Sequence, residues 1–177
     1  MARVPYIRED EHPELAELIA SLRQARRGRL LNLYRLLLHS PEVARTWLAH
    51  INAVRWQTEL DGALRELVII RVGYLNRAEY VVSQHVPSLA QAEGLSPEQT
   101  EALADETCRD SPLFSDAQRV ALAYTDAMTR QVDVPPAVFD ALKQHFSPRQ
   151  IVELTVLSAA YNMHTRVLRA LEVDPEP

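Results

Sequence analysis

The sequence predicts an all-α fold in a single domain, and three observations carry that expectation. Its 177 residues include only four glycines, and its eleven prolines stand mostly beside Ser, Glu or Asp, as at helix starts. Three segments, Ser96-Pro97-Glu98-Gln99, Ser115 with Gln118, and Ser147-Pro148-Arg149-Gln150, have the spacing of a capping box. In that motif a Ser hydroxyl and a Gln side chain satisfy each other's backbone amides at a helix N-terminus. Apolar residues make up 47% of the chain, enough for a packed core. These signals agree on one helical domain over residues 13–177, preceded by an extended arm over residues 1–12.

Pro13 opens the first predicted helix, which runs to about Arg27 with Leu15, Leu18, Ile19 and Leu22 at core spacing. Gly28 ends it, and Leu30 to Leu38 reads as a short, strongly apolar helix. Ser40-Pro41-Glu42 supplies an N-cap, a proline at the first helical position and a first-turn acid, starting a helix through about Trp56. Asp61 caps the next, Gly62 to about Asn76. Its run Leu67-Val68-Ile69-Ile70 has strand composition, but the apolar stretch continues through Val72, Tyr74 and Leu75, broken only by single arginines. A helix apolar nearly all round is a buried one, so this element is expected at the centre. A helix from Ala78 to about Glu93 follows, ended by Gly94. The box at Ser96 starts a short helix to about Ala104, and Asp105 to Pro112 reads as a loop. The box at Ser115 opens a helix to about Gln131, Pro135-Pro136 one to His145, and Ser147 the last long one, to about Leu171.

A net charge of −5 gives no electrostatic reason to bind nucleic acid. The basic cluster Arg23, Arg26, Arg27 and Arg29 reads as a solvated face, with Glu14 and Glu17 just upstream. No apolar run approaches the length of a membrane span, the N-terminus lacks the layout of a signal peptide, and Cys108 is the only cysteine. A cytoplasmic protein without membrane contact is the expectation.

Within this frame two residues stand out. On a helix, Glu66 has Gly62, Ala63, Ile69 and Ile70 as its neighbours three and four positions away, none of them basic. A carboxylate in such a surface must find a hydrogen bond or take up a proton, and burial raises its pKa toward the range useful for acid–base work. His85 is placed alike on the following helix, among Val81, Val82, Ser88 and Leu89. Pro87, two residues on, lacks the N–H that would bond the Ser83 carbonyl, so the helix should loosen there. Consecutive helices joined by a tight turn pack antiparallel, which would let Glu66 and His85 meet. Taken alone, a helical Glu is more often exposed and a His on an apolar face more often a satisfied core residue.

The stretch LDGALRELVIIRVGYLNRAEYVVSQHVPSLAQAEGLS, residues 60 to 96, resembles the signature helix pair of the carboxymuconolactone decarboxylase and alkylhydroperoxidase D family. Matching elements are an L-D-x-x-x-R-E-L-V-I-x-R helix, an aromatic, a His-Val and a Gly-Leu-Ser exit, with looser likeness through 30–56 and 147–171. The resemblance implies the alkylhydroperoxidase D-like helical bundle, and it sets the family's recurrent acid on Glu66 and its imidazole on His85. The redox branch has a Cys-x-x-Cys pair just before that histidine; the two positions fall here on Ala78 and Val81. Peroxide reduction needs both thiols, and Cys108 reads as a spare loop cysteine flanked by acids. What the resemblance then implies is a cofactor-free lyase of the decarboxylase type, without the cysteine pair, with Glu66 and His85 moving protons on a small carboxylated or lactone substrate. The alternatives are alkylhydroperoxidase activity, disfavoured by the missing pair, and a non-catalytic ligand-binding oligomer of the same fold.

Candidates for substrate contact are Trp56, Tyr80, Ser83, Val81 and Ala78, with His50 also eligible to line a pocket and Gln84 beside His85; aromatics such as Trp56 and Tyr80 more often belong to a core. Tyr161, Asn162 and His164 on the last helix suit packing or binding. Arg55, Arg65, Arg71 and Arg166 are all eligible to hold a substrate carboxylate, and no His or Glu spacing suggests a metal site. Apolar helical surface at Leu30 to Leu38 and along Ile151 to Leu171 exceeds what one layer buries, and family likeness adds to the expectation of a homo-oligomer.

Overall fold

All three Ser–Gln capping boxes form: Ser96, Ser115 and Ser147 accept from the amides of Gln99, Gln118 and Gln150, whose side chains return the bond. They start α7, α8 and α10 of an all-helical chain. The computed structural model describes residues 1–176, and among these there is no β-strand. The helices are α1 (Ala16–Ala25), α2 (Asn32–Leu37), α3 (Pro41–Trp56), α4 (Gly62–Leu75), α5 (Glu79–His85), α6 (Leu89–Ala92), α7 (Pro97–Ala102), α8 (Asp116–Arg130), α9 (Pro136–Leu142) and α10 (Pro148–Leu171).

Several expected boundaries shift. Pro13 begins a 3-10 turn, Pro13–Leu15, and α-helical geometry starts only at Ala16. The helix expected from Ala78 to Glu93 is divided into α5 and α6, because Pro87 offers no amide to continue the ladder. The segment Asp105 to Pro112 contains a 3-10 turn, Cys108–Asp110. The N-terminal arm is less free than its sequence suggests. Ile7 is buried, the Arg3 amide donates to the Leu171 carbonyl at 2.9 Å, and the Tyr6 hydroxyl donates to Asp174 at 2.9 Å.

α4 is the central element. Asp61 caps it through the Leu64 amide at 3.0 Å, and α5, α8 and α10 pack around it. Leu67, Val68, Ile69 and Ile70 are wholly removed from solvent, and burial of each such side chain contributes about 1.5–3 kcal/mol. The run with strand composition is helical because its apolar residues continue around every face of the helix, and three neighbouring helices cover them. Polar residues on α4 must be paired to be tolerated there. Arg71 meets this demand by a two-pronged bond to Asp126 of α8, 2.7 Å on each prong, and by donating to the Leu103 and Asp105 carbonyls at 2.8 and 2.7 Å.

The turn from α4 to α5 sets how closely the two helices approach. Arg77 adopts φ 52°, a left-handed conformation that reverses the chain, and the Ala78 amide bonds the Gly73 carbonyl at 2.8 Å. A Cβ at Gly73 would stand 3.2 Å from Val82 Cγ2, a tight approach, and 3.4 Å from Val81 Cγ1, an ordinary contact, so the glycine lets the two helices cross closely.

Candidate active site

The α4–α5 crossing brings Glu66 and His85 into direct contact. His85 Nδ1 lies 2.5 Å from Glu66 Oε2, and both side chains are buried, Glu66 completely. The second carboxylate oxygen lies 3.4 Å from Nη2 of Arg55, on α3. Glu66 therefore has a cationic partner that sequence spacing did not reveal, because it comes from a different helix.

Burial is the largest influence on Glu66 and opposes its ionisation, but the His85 hydrogen bond and the charges of Arg55 and Arg65 outweigh it, holding the carboxyl below its usual range. This corrects the expectation of a raised acid: the carboxylate is ionised at neutral pH. Burial likewise dominates at His85 and lowers its pKa, helped by Arg55 and Arg65 and opposed by Glu66. At neutral pH the imidazole is then uncharged and its Nδ1–H donates to Glu66, an assignment that follows from the carboxylate being able only to accept. Nε2 is left as a lone-pair base with no protein partner among the described residues.

His85 opens onto a cavity of about 260 Å³. Its floor is aromatic and apolar, with Tyr34, Ile51, Tyr80, Val81, Tyr161 and His164. Its rim is basic, with Arg26, Arg27, Arg29 and Arg55. Of the residues expected to meet a substrate, Trp56, Tyr80 and Val81 line the cavity. Ala78 is buried outside the lining, and Ser83 is exposed with its hydroxyl on the Tyr80 carbonyl at 3.0 Å. Gln84 is on the wall and His50 is exposed elsewhere. Trp56 is half exposed at the rim rather than in the core, with the Arg55 and Arg65 guanidiniums 4.5 and 4.9 Å from its ring centroid.

The arginines sort by their partners. Arg71 is committed to Asp126, Arg65 bonds Glu93 at 2.8 Å, and Arg166 is exposed on Asn162. Arg55 alone of the four eligible residues lines the cavity. The cluster read as a solvated face supplies the others. Arg26 is held by Asn52 and by the Tyr34 hydroxyl, each at 2.8 Å, while Arg27 and Arg29 have no ion-pair partner among the described residues. The one signal for this in the sequence is Gly28 among the arginines: Arg27 and Gly28 both take positive φ, and the resulting turn aims the cluster over the cavity.

Cys108 lies in the 3-10 turn of its loop, buried and outside the cavity lining. Burial pushes its thiol up, with Asp126 and Asp105 adding to the effect and Arg71 opposing it. No group of three or more His, Cys, Asp or Glu among the described residues is arranged to hold a metal ion, and no described helix is long and apolar enough to cross a membrane.

The family model described as the carboxymuconolactone decarboxylase family matches residues 41–127, which include both Glu66 and His85. The uncharacterized protein YnjA of Escherichia coli (strain K12) is 34% identical over 123 residues, a match covering 67% of this chain and 64% of YnjA. The chain thus matches less than two thirds of that relative's length. A crystal structure of a protein of unknown function from Agrobacterium tumefaciens is 26% identical, with a TM-score of 0.73 over 80% of this chain and 96% of that one. An alkylhydroperoxidase AhpD core, an uncharacterized peroxidase-related protein from Ralstonia eutropha JMP134, is 18% identical with a TM-score of 0.83 over 99% of this chain and 92% of that one. The second likeness shows the fold alone.

Proposed function

The chain belongs to the carboxymuconolactone decarboxylase family, and on that premise we propose that it is a cofactor-free acid–base enzyme of the lyase type. Its substrate is a small carboxylated or lactone compound, decarboxylated or isomerised at His85. The observation that carries this reading is the 2.5 Å contact between His85 Nδ1 and the buried Glu66 carboxylate. Glu66 fixes the ring orientation and tautomer and stabilises the imidazolium that forms when Nε2 accepts a proton. The basic rim attracts and orients a carboxylate, with Arg55 nearest the pair. Peroxide chemistry has no support at this site, since Val81 and Ala78 carry no sulfur and Cys108 lies elsewhere.

The test is turnover of a carboxylated enol-lactone, followed by release of carbon dioxide or loss of ultraviolet absorbance. Glu66→Gln and His85→Gln should each lower turnover by roughly two orders of magnitude with the fold kept, and the double variant should be scarcely worse than either. A wild type no faster than the double variant would mark the cavity as a binding site only.

The reading includes a homo-oligomer. Val152, Val156 and Met163 lie exposed along one side of α10, 61%, 39% and 37% accessible, and a second copy of the chain would cover them. Light scattering at micromolar concentration should give a mass above 20.1 kDa, and Val156→Glu should lower it.

A further inference from the structure

Removing a proton or carbon dioxide from a carbonyl compound leaves an electron pair that must come to rest on oxygen. Glu66 is an anion and His85 is occupied with the transferred proton, so the developing oxyanion calls for further donors. Two phenols in the cavity can supply them. Tyr161 of α10 is 2% exposed, with its ring edge-on to His85 (centroids 5.8 Å apart, planes at 86°) and tilted against His164 (5.5 Å, 34°). Its hydroxyl has no protein partner among the described residues, yet it is not sealed off, because Tyr161 lines the cavity. Tyr34 of α2 enters the same cavity. Its oxygen accepts from Arg26 Nη2 at 2.8 Å, so its own proton is left to donate, and the cation behind it polarises that O–H bond. Burial pushes Tyr161 up to about 12, and it also raises Tyr34 against the opposing charge of Arg26, so both remain protonated donors at neutral pH.

We propose that the hydroxyls of Tyr161 and Tyr34 form an oxyanion site facing His85, and that the natural ligand is a planar conjugated carbonyl compound converted through an enolate. The proposal rests on His85 being the base. In the isomerisation form, the C–H bond beside the carbonyl breaks, and its proton goes to His85 Nε2. Its electron pair enters the new C=C bond, and the carbonyl oxygen takes the charge under the two O–H donors. His85 then returns the proton to a different carbon, so no oxidant or reductant is consumed. In the decarboxylation form, the C–CO₂ bond breaks, carbon dioxide leaves, and the electron pair passes to the carbonyl oxygen; one proton taken from water onto His85 Nε2 is then delivered to carbon, so each turnover consumes a single solvent proton.

The test uses 4-nitrophenolate, a planar conjugated anion with its charge on one oxygen, and 4-nitrobenzoate, an anion of similar shape addressed to the arginines. Wild type should bind both. Tyr161→Phe and Tyr34→Phe should weaken 4-nitrophenolate by roughly 10- to 100-fold, the range for a hydrogen bond to a charged group, and leave 4-nitrobenzoate within about twofold. Absence of 4-nitrophenolate binding to wild type, or equal weakening of both ligands in Tyr161→Phe, overturns the oxyanion site. Because binding is read without turnover, such a result leaves the proton-transfer role of His85 standing. Conversely, selective loss of phenolate binding alongside an active His85→Gln variant supports the oxyanion site and removes the base.

Discussion

Nη2 of Arg55 lies 3.4 Å from Glu66 Oε1, the carboxylate oxygen that His85 does not use, while the same guanidinium stacks 4.5 Å from the Trp56 ring centroid. One residue thus joins the buried acid–base pair to the aromatic rim of the cavity. Its charge lowers the pKa of Glu66 and of His85 alike. His85 must be neutral to accept a proton, so activity should persist below its ordinary 6.5 and fall only as pH drops through its lowered value. Arg55→Met removes a lowering influence from both groups. The acid limb of the kcat/KM profile should therefore move to higher pH, and an unshifted limb would disconnect Arg55 from the pair.

The Arg71–Asp126 pair stands outside the cavity lining and bears on stability. Arg71 is 1% exposed and bonded to Asp126 and two carbonyls, tying α4 to α8 and to the residues after α7. Asp126→Ala strands a buried guanidinium charge, which costs about 3–5 kcal/mol. Urea denaturation should show that loss, with binding of 4-nitrobenzoate to the folded fraction unchanged.

Acid should destabilise the protein in a defined window. Burial holds His164 neutral down to about 3, against an ordinary 6.5, and His85 shifts the same way. Below about 6.5 the unfolded chain binds protons that the folded chain refuses. Stability is then fully present above that pH and is lost as pH falls toward the folded value. For His164 alone the loss between pH 7 and pH 5 is about 2 kcal/mol. His164→Phe should flatten that part of the slope in denaturation measured across the same range.

Cys108 offers the sharpest contrast with the redox branch of the family. Its buried thiol should react with a disulfide reagent only on unfolding, and Cys108→Ala should cost about 1 kcal/mol without altering any turnover. Alkyl hydroperoxide reduction with a dithiol donor, lost in that variant, would contradict this placement.

What the sequence disclosed is what is local. The three Ser–Gln boxes, the Asp61 cap and the buried character of α4 follow from spacing within a few residues, and each appears as expected. The Glu66–His85 contact was half legible: the absence of local partners flagged both residues, and family likeness set them together. Arg55 was one of four indistinguishable arginines, because nothing in its own helix reveals that it crosses over Glu66. Trp56 suited a core by residue type, yet it ends α3 at the cavity rim, where two guanidiniums cover its ring. The cluster Arg26 to Arg29 had the composition of a solvated surface, and only the positive-φ turn at Arg27 and Gly28 directs it over the cavity. Helix existence is written in short-range periodicity, whereas the direction of a loop between helices is settled by packing.

Gly73 touches neither Glu66 nor His85, yet it acts as the spacer of the site. A methyl group there would stand 3.2 Å from Val82 Cγ2, so that either this side chain gives by a few tenths of an ångström or α4 and α5 part by as much, while Val81 at 3.4 Å would be in ordinary contact. A displacement of a few tenths of an ångström is minor for the fold but large for a donor and acceptor 2.5 Å apart. Where the helices rather than the Val82 side chain give way, substitution at this position detunes the pair while sparing every reactive atom. The geometry of the pair is thus held partly from behind the helix crossing, by the absence of a side chain rather than by any group that touches it.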